Sequence, residues 1–322
     1  MNASSATLAY TRSAAWYPYR VARLLVSEFV RQRRADSRKS ARLFALRSLL
    51  APVATAQWVR FVHDYYRRLG CAAPVGAVVN KPLRNYVARG LTPGQRVRLL
   101  TYHYEIAARL LPAAVRANLA RNEALILGVL RGNRGDYFLK LGGSQRMYTT
   151  HEGELVLFME KCADGCILAK ISFLFAKQPD GRLAIIVGGL QGVLGGFRRE
   201  VVDATRSLSA LRPKDVVLIA VQAMAHQLGI EAIHAVSNHR HVIRAHKNHA
   251  MQADYDAYWI ERQGRPSEPF GFTLPVTLPQ ASVPPNKRDL HKAGTVSMLR
   301  SFLAQTSSAA DASGIQRTGA TC

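Results

Sequence analysis

The sequence predicts an α+β fold, in which a basic helical N-terminal region precedes a mixed, mainly antiparallel sheet with a buried crossover helix. Apolar residues recur at helical spacing in the N-terminal third, whereas from Gly135 the period changes to two and glycine-ended turns separate β-rich runs. An apolar helix over 215–228 then joins two apolar strands, 182–187 and 230–237. With 322 residues, 48% of them hydrophobic, the chain is long enough for a substantial core.

The first 70 residues are predicted to be helical and basic. Residues 21–34 form an amphipathic pattern in which arginines lie opposite an apolar stripe. The stripe consists of Val21, Leu24, Leu25, Phe29 and Val30. Two interpretations stay open: an amphipathic segment that lies on an anionic membrane, or helices that pack on the domain behind them. Two further helices are predicted, one over 94–111, with Val97, Leu100 and Tyr104 at helical spacing, and one over 115–130.

The charge is large and unevenly distributed. Of a formal net charge of +23, residues 1–116 carry +16, from 20 Lys and Arg against four acidic residues. This favours anionic partners such as phospholipid headgroups, lipopolysaccharide, nucleic acid or a phosphorylated cofactor, although an Arg-rich solvated surface accounts for it equally. Nucleic acid is disfavoured because no nucleic-acid-binding motif occurs. A protein partner remains an alternative, and the oligomeric state is left open.

Four β-rich runs predict an antiparallel meander: 136–141, 154–161, 166–177 and 182–187. The last run leads into GGLQGVLGG, in which five of nine residues are glycine. Because glycine lets other groups approach the backbone amides, this stretch is a candidate cradle for a phosphate or pantetheine group. The alternative is a β-bulge and a turn. The cofactor-binding candidates are Gly189, Gln191, Gly192, Gly195, Gly196 and, before the next long helix, Lys214.

A polar helix near 200–208 and the buried helix Asp215–Leu228 are predicted to follow the glycines. Strand 230–237 is apolar on both faces, which is typical of an interior strand. Because a helix connects it to strand 182–187, we expect the two strands to be parallel, with a right-handed crossover.

Polar residues in this strand and after it supply the catalytic candidates. Asn238 lies at the strand's carboxyl end, where open sheets usually place ligands. His234 is interpreted as a buried, hydrogen-bonded histidine or a general base. In the helix that follows, Asp256 or Glu261 is a candidate base and Tyr255 a candidate acid, unless this is an aromatic-anchored helix with outward charges. The nearby histidines predict no metal site, because neither a carboxylate nor a cysteine lies among them.

The order of meander, helix and parallel strand resembles the GNAT-type N-acyltransferase fold. In that fold the glycine-bearing strand and the next strand splay apart and admit an acyl-coenzyme A, whose pyrophosphate is held by loop amides. The resemblance implies acyl-coenzyme A as a cofactor and an acyltransferase-like activity.

Composition further predicts three parts: a basic helical region (1–75), an α+β domain (76–303) and a disordered Ser/Ala/Gly-rich tail (304–322). No apolar run approaches the length that spans a bilayer, and neither a secretory signal nor a cysteine framework is evident, so a cytoplasmic location is expected.

Several blocks then identify the chain as a member of the VirK/YbjX family of bacterial proteins: LTPGQRVRLLTYHYEIAARLL, HEGELVLFME, GGLQG, RSLSALRPKDVVLIAVQAMAHQLGI, HAVSNHRHV and DYDAYWIE. They cover roughly residues 80–280. The resemblance implies a role in virulence, antimicrobial-peptide tolerance and envelope integrity, and no catalytic mechanism. Two hypotheses follow: an acyltransferase-like enzyme acting on an envelope substrate, or a non-enzymatic factor that docks on the inner membrane or a protein partner through its Arg-rich helices.

Overall fold

In a computed structural model of this protein, the described residues form a mixed sheet of eight strands around which the helices pack. The structure describes residues 18–35, 38–76, 78–193, 198–242 and 254–315, and only the backbone of 306–315. The strands are β1 (Leu125–Arg131), β2 (Asp136–Gly143), β3 (Leu155–Lys161), β4 (Ile167–Lys177), β5 (Leu183–Gly192), β6 (Ala232–Val236), β7 (Arg265–Ser267) and β8 (Gly271–Leu274).

The strands lie in the order β1-β2-β3-β4-β5-β6-β8-β7. β1 to β5 form an antiparallel meander, β6 pairs parallel with β5, and β8 pairs antiparallel with β6. β7 forms a hairpin with β8. The predicted α+β class, the mainly antiparallel sheet and the parallel crossover are therefore confirmed.

Helices cover both faces of the sheet. They are α1 (Pro18–Ala35), α2 (Arg38–Ser48), α3 (Pro52–Arg68), α4 (Pro93–Leu110), α5 (Ala113–Ala120), α6 (Arg198–Ser207), α7 (Pro213–Gln227), α8 (Tyr255–Glu261) and α9 (Lys287–Ile315).

Alternate side chains of β4 show how two cores arise. Phe173 and Phe175 pack in a cluster with α7 and α9, whereas Leu174 and Ala176 pack in a second cluster with α3 and α4. Trp58 of α3 is fully buried in that second cluster. The apolar side of α3 therefore packs on the sheet, and α7 is buried nearly all round as predicted.

Two local predictions are wrong. The helix predicted over 115–130 ends at Ala120, a turn follows in which Asn122 has a positive φ of 65°, and Leu125–Arg131 pairs with β2 as β1. A short apolar run fits either structure, and here pairing with residues 136–141 of β2 favours the strand. The glycine-rich stretch, predicted to be a loop from residue 188, instead continues β5 to Gly192, with a bulge opposite Ser172 and Phe173.

The C-terminal tail also differs from the prediction. Helix α9 continues through residues 304–315, where alanines of high helix propensity recur. Residues 316–322 lie outside the described residues.

Candidate functional site

β5 and β6 separate at their carboxyl ends. Their parallel pairing covers four residues and ends at Val187 and Ala235, while β5 continues to Gly192 beside β4. The last residue of β6, Val236, pairs with Gly271 of β8 and has no partner in β5. Ligands of open sheets bind at such a separation of neighbouring strands, so this gap is the predicted site.

Glu152 packs on β5 beside this gap. It lies in the turn before β3, and its side chain and backbone pack directly on the glycines of β5. A Cβ on Gly188 would come 2.0 Å from the Glu152 carbonyl oxygen, and one on Gly189 would come 2.1 Å from Glu152 Oε2. The glycines are therefore needed for the close approach of a buried carboxyl group within the protein.

The Glu152 carboxyl group titrates near neutrality. Burial, which leaves the residue 2% exposed, raises its pKa to about 7 despite the hydrogen bonds from Gln191 and the charge of Lys170. Gln191 Nε2 donates to Oε1 at 2.7 Å and to Oε2 at 2.9 Å. A carboxyl group that is about half ionised at pH 7 can accept or release a proton.

His241 and Tyr255 form the other wall. Their rings stack with centroids 4.8 Å apart, and His241 Nε2 lies 3.6 Å from Glu152 Oε1. Burial lowers the pKa of His241 to about 4, so its imidazole is neutral at pH 7. The amide of Leu190 donates to the Tyr255 hydroxyl at 3.1 Å. We call Glu152, Gln191, His241 and Tyr255 the strand-end centre.

The described part of this gap does not fit the pantetheine arm of a coenzyme A. Such an arm would lie along the free edge of β5, where the amide of Leu190 is already bonded to Tyr255 and Glu152 packs against Gly188 and Gly189. Glu152, His241 and Tyr255 are all buried. The strand-end centre is thus a closed polar cluster in this conformation.

The structure brings some predicted residues together here. Gly189, Gln191 and Tyr255 belong to or line the strand-end centre. Lys214 approaches Gly192, whose added Cβ would lie 3.4 Å from Lys214 Cε. Burial and the neighbouring Arg212 lower the pKa of Lys214 despite Asp215. Gly195 and Gly196 lie outside the described residues, so the structure does not place the predicted anion loop.

Three other candidates lie elsewhere. Asp256 Oδ1 accepts from the Asn238 amide at 2.7 Å, and Asn238 Oδ1 accepts from the Tyr255 amide at 2.8 Å. These bonds fasten the start of α8 to the end of β6, which is a structural role. His234 lies 3.3 Å from the Thr273 hydroxyl on β8 and is not among the contacts of the strand-end centre.

A second buried polar centre surrounds Glu154. Lys81 Nζ and the Tyr86 hydroxyl donate to Oε1 at 2.6 and 2.7 Å, and the Tyr104 hydroxyl donates to Oε2 at 2.6 Å. Burial alone raises the pKa of Glu154, but Lys81, His103 and the hydroxyl donor outweigh it and hold the pKa below its usual value. The result is a buried ion pair whose carboxylate stays charged.

A partly open cavity of about 60 Å³ reaches this second centre. Tyr65, Tyr66 and Arg116 line it together with Glu154 and His103. The backbone amide of Phe175 donates to His103 Nδ1 at 3.1 Å, and because burial lowers the pKa of His103 to about 4, its proton resides on Nε2. The cavity is large enough for a few water molecules, at roughly 10–15 Å³ each.

Sequence reasoning missed Glu152, Glu154 and Lys81. The two glutamates appear in HEGELVLFME, in which Glu154 begins a predicted strand and Glu152 precedes that strand. Their shared signal is that each is an acidic residue next to a long apolar run, and burial of such a residue requires partners from distant segments. Among the described residues, no group of three His, Cys, Asp or Glu side chains is arranged to hold a metal ion.

Comparison with known proteins gives two matches. The family model described as "Protein of unknown function (DUF535)" matches residues 33–293. The uncharacterized protein YbjX of Escherichia coli (strain K12) is 26% identical over 245 residues, which are 74% of this chain and 73% of that protein. No solved structure matches the chain.

Proposed function

The chain belongs to the DUF535 family, as the VirK/YbjX resemblance predicted, and from this premise we propose that it docks on an anionic membrane surface through its N-terminal helices. The surface proposed is the cytoplasmic face of the inner membrane. Support of envelope integrity, antimicrobial-peptide tolerance and virulence is the biological context that we propose for this docking.

The observation that carries the proposal is an exposed apolar tip where α2 turns into α3. Leu46 is 64% exposed, Leu49 73% and Leu50 82%, and Val53 follows at the start of α3 with 45%. Contiguous exposed leucines are unusual on a monomer and mark interaction surfaces. We call these four residues the leucine tip.

Arginines surround the leucine tip. Arg42 precedes Leu46 by one helical turn, and Arg47 lies beside it in sequence. Basic side chains next to exposed apolar ones are typical of proteins that bind the interface of anionic bilayers, where lipid phosphates attract the cations and the apolar side chains enter the acyl boundary. No helix among the described residues has the length and hydropathy to cross a bilayer. Interfacial docking requires no such helix.

The experiment is cosedimentation of the full chain with vesicles of phosphatidylcholine, with and without phosphatidylglycerol. Binding is expected only with phosphatidylglycerol, and it should weaken with added salt. Each leucine transferred from water contributes about 1.5–3 kcal/mol, so the Leu49→Ser/Leu50→Ser variant should bind at least about tenfold more weakly. Leu290→Ser, which changes a leucine that is 58% exposed on α9, is the matched control.

Two results would overturn the membrane proposal. One is equal binding by the wild-type chain and the leucine-tip variant. The other is absence of wild-type binding to the phosphatidylglycerol vesicles, which would leave a protein partner as the occupant of this surface.

A second candidate function is acyl transfer, which one observation favours. The strand-end centre places a carboxyl group with a pKa of about 7 at the carboxyl ends of β5 and β6, where an acid or base would be useful. Because Glu152 and Tyr255 both contact the end of β5, binding of a coenzyme A there would require them to move.

Calorimetric titration with coenzyme A and a short acyl-coenzyme A tests this candidate. Binding of either ligand with an affinity that falls in Lys214→Gln would support it. The affinity should be unchanged in Lys287→Gln, the control at an exposed position. Absence of heat at millimolar ligand would remove it.

A further inference from the structure

A hollow of about 170 Å³ lies where α1 ends and α2 begins. Arg33 of α1 and Arg38 and Arg42 of α2 line it, together with Phe29 and Ala41. It thus combines three cationic groups with an apolar wall. We call it the arginine hollow.

The three guanidinium groups have no countercharge in the part of the chain that the structure describes. None of them forms an ion pair with a described carboxylate, and Asp36 lies outside that part. Arg31, two residues before Arg33, shows the contrast: it pairs with Glu28 at 2.8 Å and donates to two backbone carbonyls. Arg31 is therefore structural, whereas the cations of the arginine hollow are available to an anion.

We infer that the arginine hollow binds the phosphate of a membrane lipid whose headgroup is a phosphomonoester. A guanidinium group donates two parallel hydrogen bonds to phosphate oxygens, and three such groups match the three terminal oxygens of a monoester. A monoester carries close to two negative charges above a pKa of about 6, whereas a phosphodiester carries one. Three cations that pair with no carboxylate among the described residues therefore favour the monoester.

The position of the arginine hollow favours a lipid over a free phosphate. Arg38, Arg42 and Leu46 follow one another at a spacing of four and so share one face of α2, which leads to the leucine tip. Leu49, the residue after α2, is seven positions beyond Arg42, which corresponds to about 10 Å along a helix axis. The headgroup layer is roughly 5–8 Å thick, so leucines at the edge of the hydrocarbon place the arginines near the phosphates. This inference rests on the proposed membrane docking.

The experiment compares phosphatidylcholine vesicles that contain either phosphatidic acid or enough phosphatidylglycerol to give the same surface potential. The wild-type chain is expected to bind phosphatidic acid about tenfold more tightly, as one additional charge-assisted contact would give. That preference should shrink as the pH falls below about 6, where the monoester loses its second charge. Arg38→Gln/Arg42→Gln should lose the preference and keep part of its binding to phosphatidylglycerol.

Arg131→Gln/Arg134→Gln removes the same charge from exposed positions on and after β1 and should keep the preference. Equal binding of the wild-type chain to both vesicles would overturn this inference and leave membrane docking intact. A different result would overturn the lipid source and the docking proposal together. In that result the wild-type chain binds soluble glycerol 3-phosphate but no vesicles, and Arg38→Gln/Arg42→Gln loses the binding of glycerol 3-phosphate.

Discussion

Gln191 Nε2 donates to both carboxyl oxygens of Glu152, at 2.7 and 2.9 Å, at the end of β5 that extends beyond its pairing with β6. The two hydrogen bonds from this neutral amide do not offset the loss of hydration of the carboxyl group. Burial therefore still raises the pKa of Glu152 to about 7. The carboxyl group is thus more basic in the folded protein than in the unfolded chain. This difference has a measurable consequence for stability.

We expect the free energy of unfolding to depend on pH through Glu152. Because its pKa is higher in the folded state, the folded protein binds more protons, and the stabilisation is fully present below about pH 4.5 and lost as the pH rises through 7. A shift of this size corresponds to at most about 3 kcal/mol. Urea titrations from pH 5 to 8 should show this loss in the wild-type chain relative to Glu152→Gln.

Glu231→Gln, at an exposed carboxylate, is the control and should keep the wild-type pH dependence. A pH profile of Glu152→Gln parallel to that of the wild-type chain would show that Glu152 ionises at its ordinary pKa.

The glycines of β5 should differ sharply in their tolerance of a methyl group. Gly188→Ala places a Cβ 2.0 Å from the backbone oxygen of Glu152. Because a backbone atom cannot move aside by a side-chain rotation, we expect the free energy of unfolding to fall by about 3 kcal/mol. Gly192→Ala places its Cβ at ordinary contact distance from Lys214 and should change stability little. Denaturant unfolding of both variants measures the difference. Equal losses would contradict the packing of Glu152 against β5.

Much of the fold could be predicted from local patterns. The meander follows from two-residue periodicity and glycine-ended turns, and the crossover helix from its apolar run between Pro213 and Gly229. β1 could not be predicted in this way, because its short apolar run is stabilised by pairing with β2 rather than by its own sequence.

The candidate site was predicted only in part. Gln191 and Tyr255 stand out because they lie at strand and helix ends, but Glu152 becomes significant only when the turn before β3 reaches β5, 36 residues away at Gly188. Tyr104 was counted with the apolar stripe of its helix, although its hydroxyl bonds to Glu154. Contacts between distant segments, which no local pattern reports, create both centres.

The ion pair of Lys81 and Glu154 should show strong coupling between its members. Both residues are buried, and Lys81 Nζ lies 2.6 Å from Glu154 Oε1. Lys81→Met leaves an unpaired buried carboxylate and should lower the free energy of unfolding by about 3–5 kcal/mol. Lys81→Met/Glu154→Gln removes both charges and should recover a large part of that loss. Tyr104→Phe deletes one hydroxyl donor and should cost about 1–2 kcal/mol.

Denaturant unfolding of Lys81→Met, Glu154→Gln and Lys81→Met/Glu154→Gln closes a double-mutant cycle for this pair. Additive losses would mean that the two charges do not depend on each other. A coupling of several kcal/mol would instead mean that Lys81, from the segment between α3 and α4, keeps Glu154 ionised below the cavity. The cavity would then owe its charged lining to a contact between two segments that lie 73 residues apart.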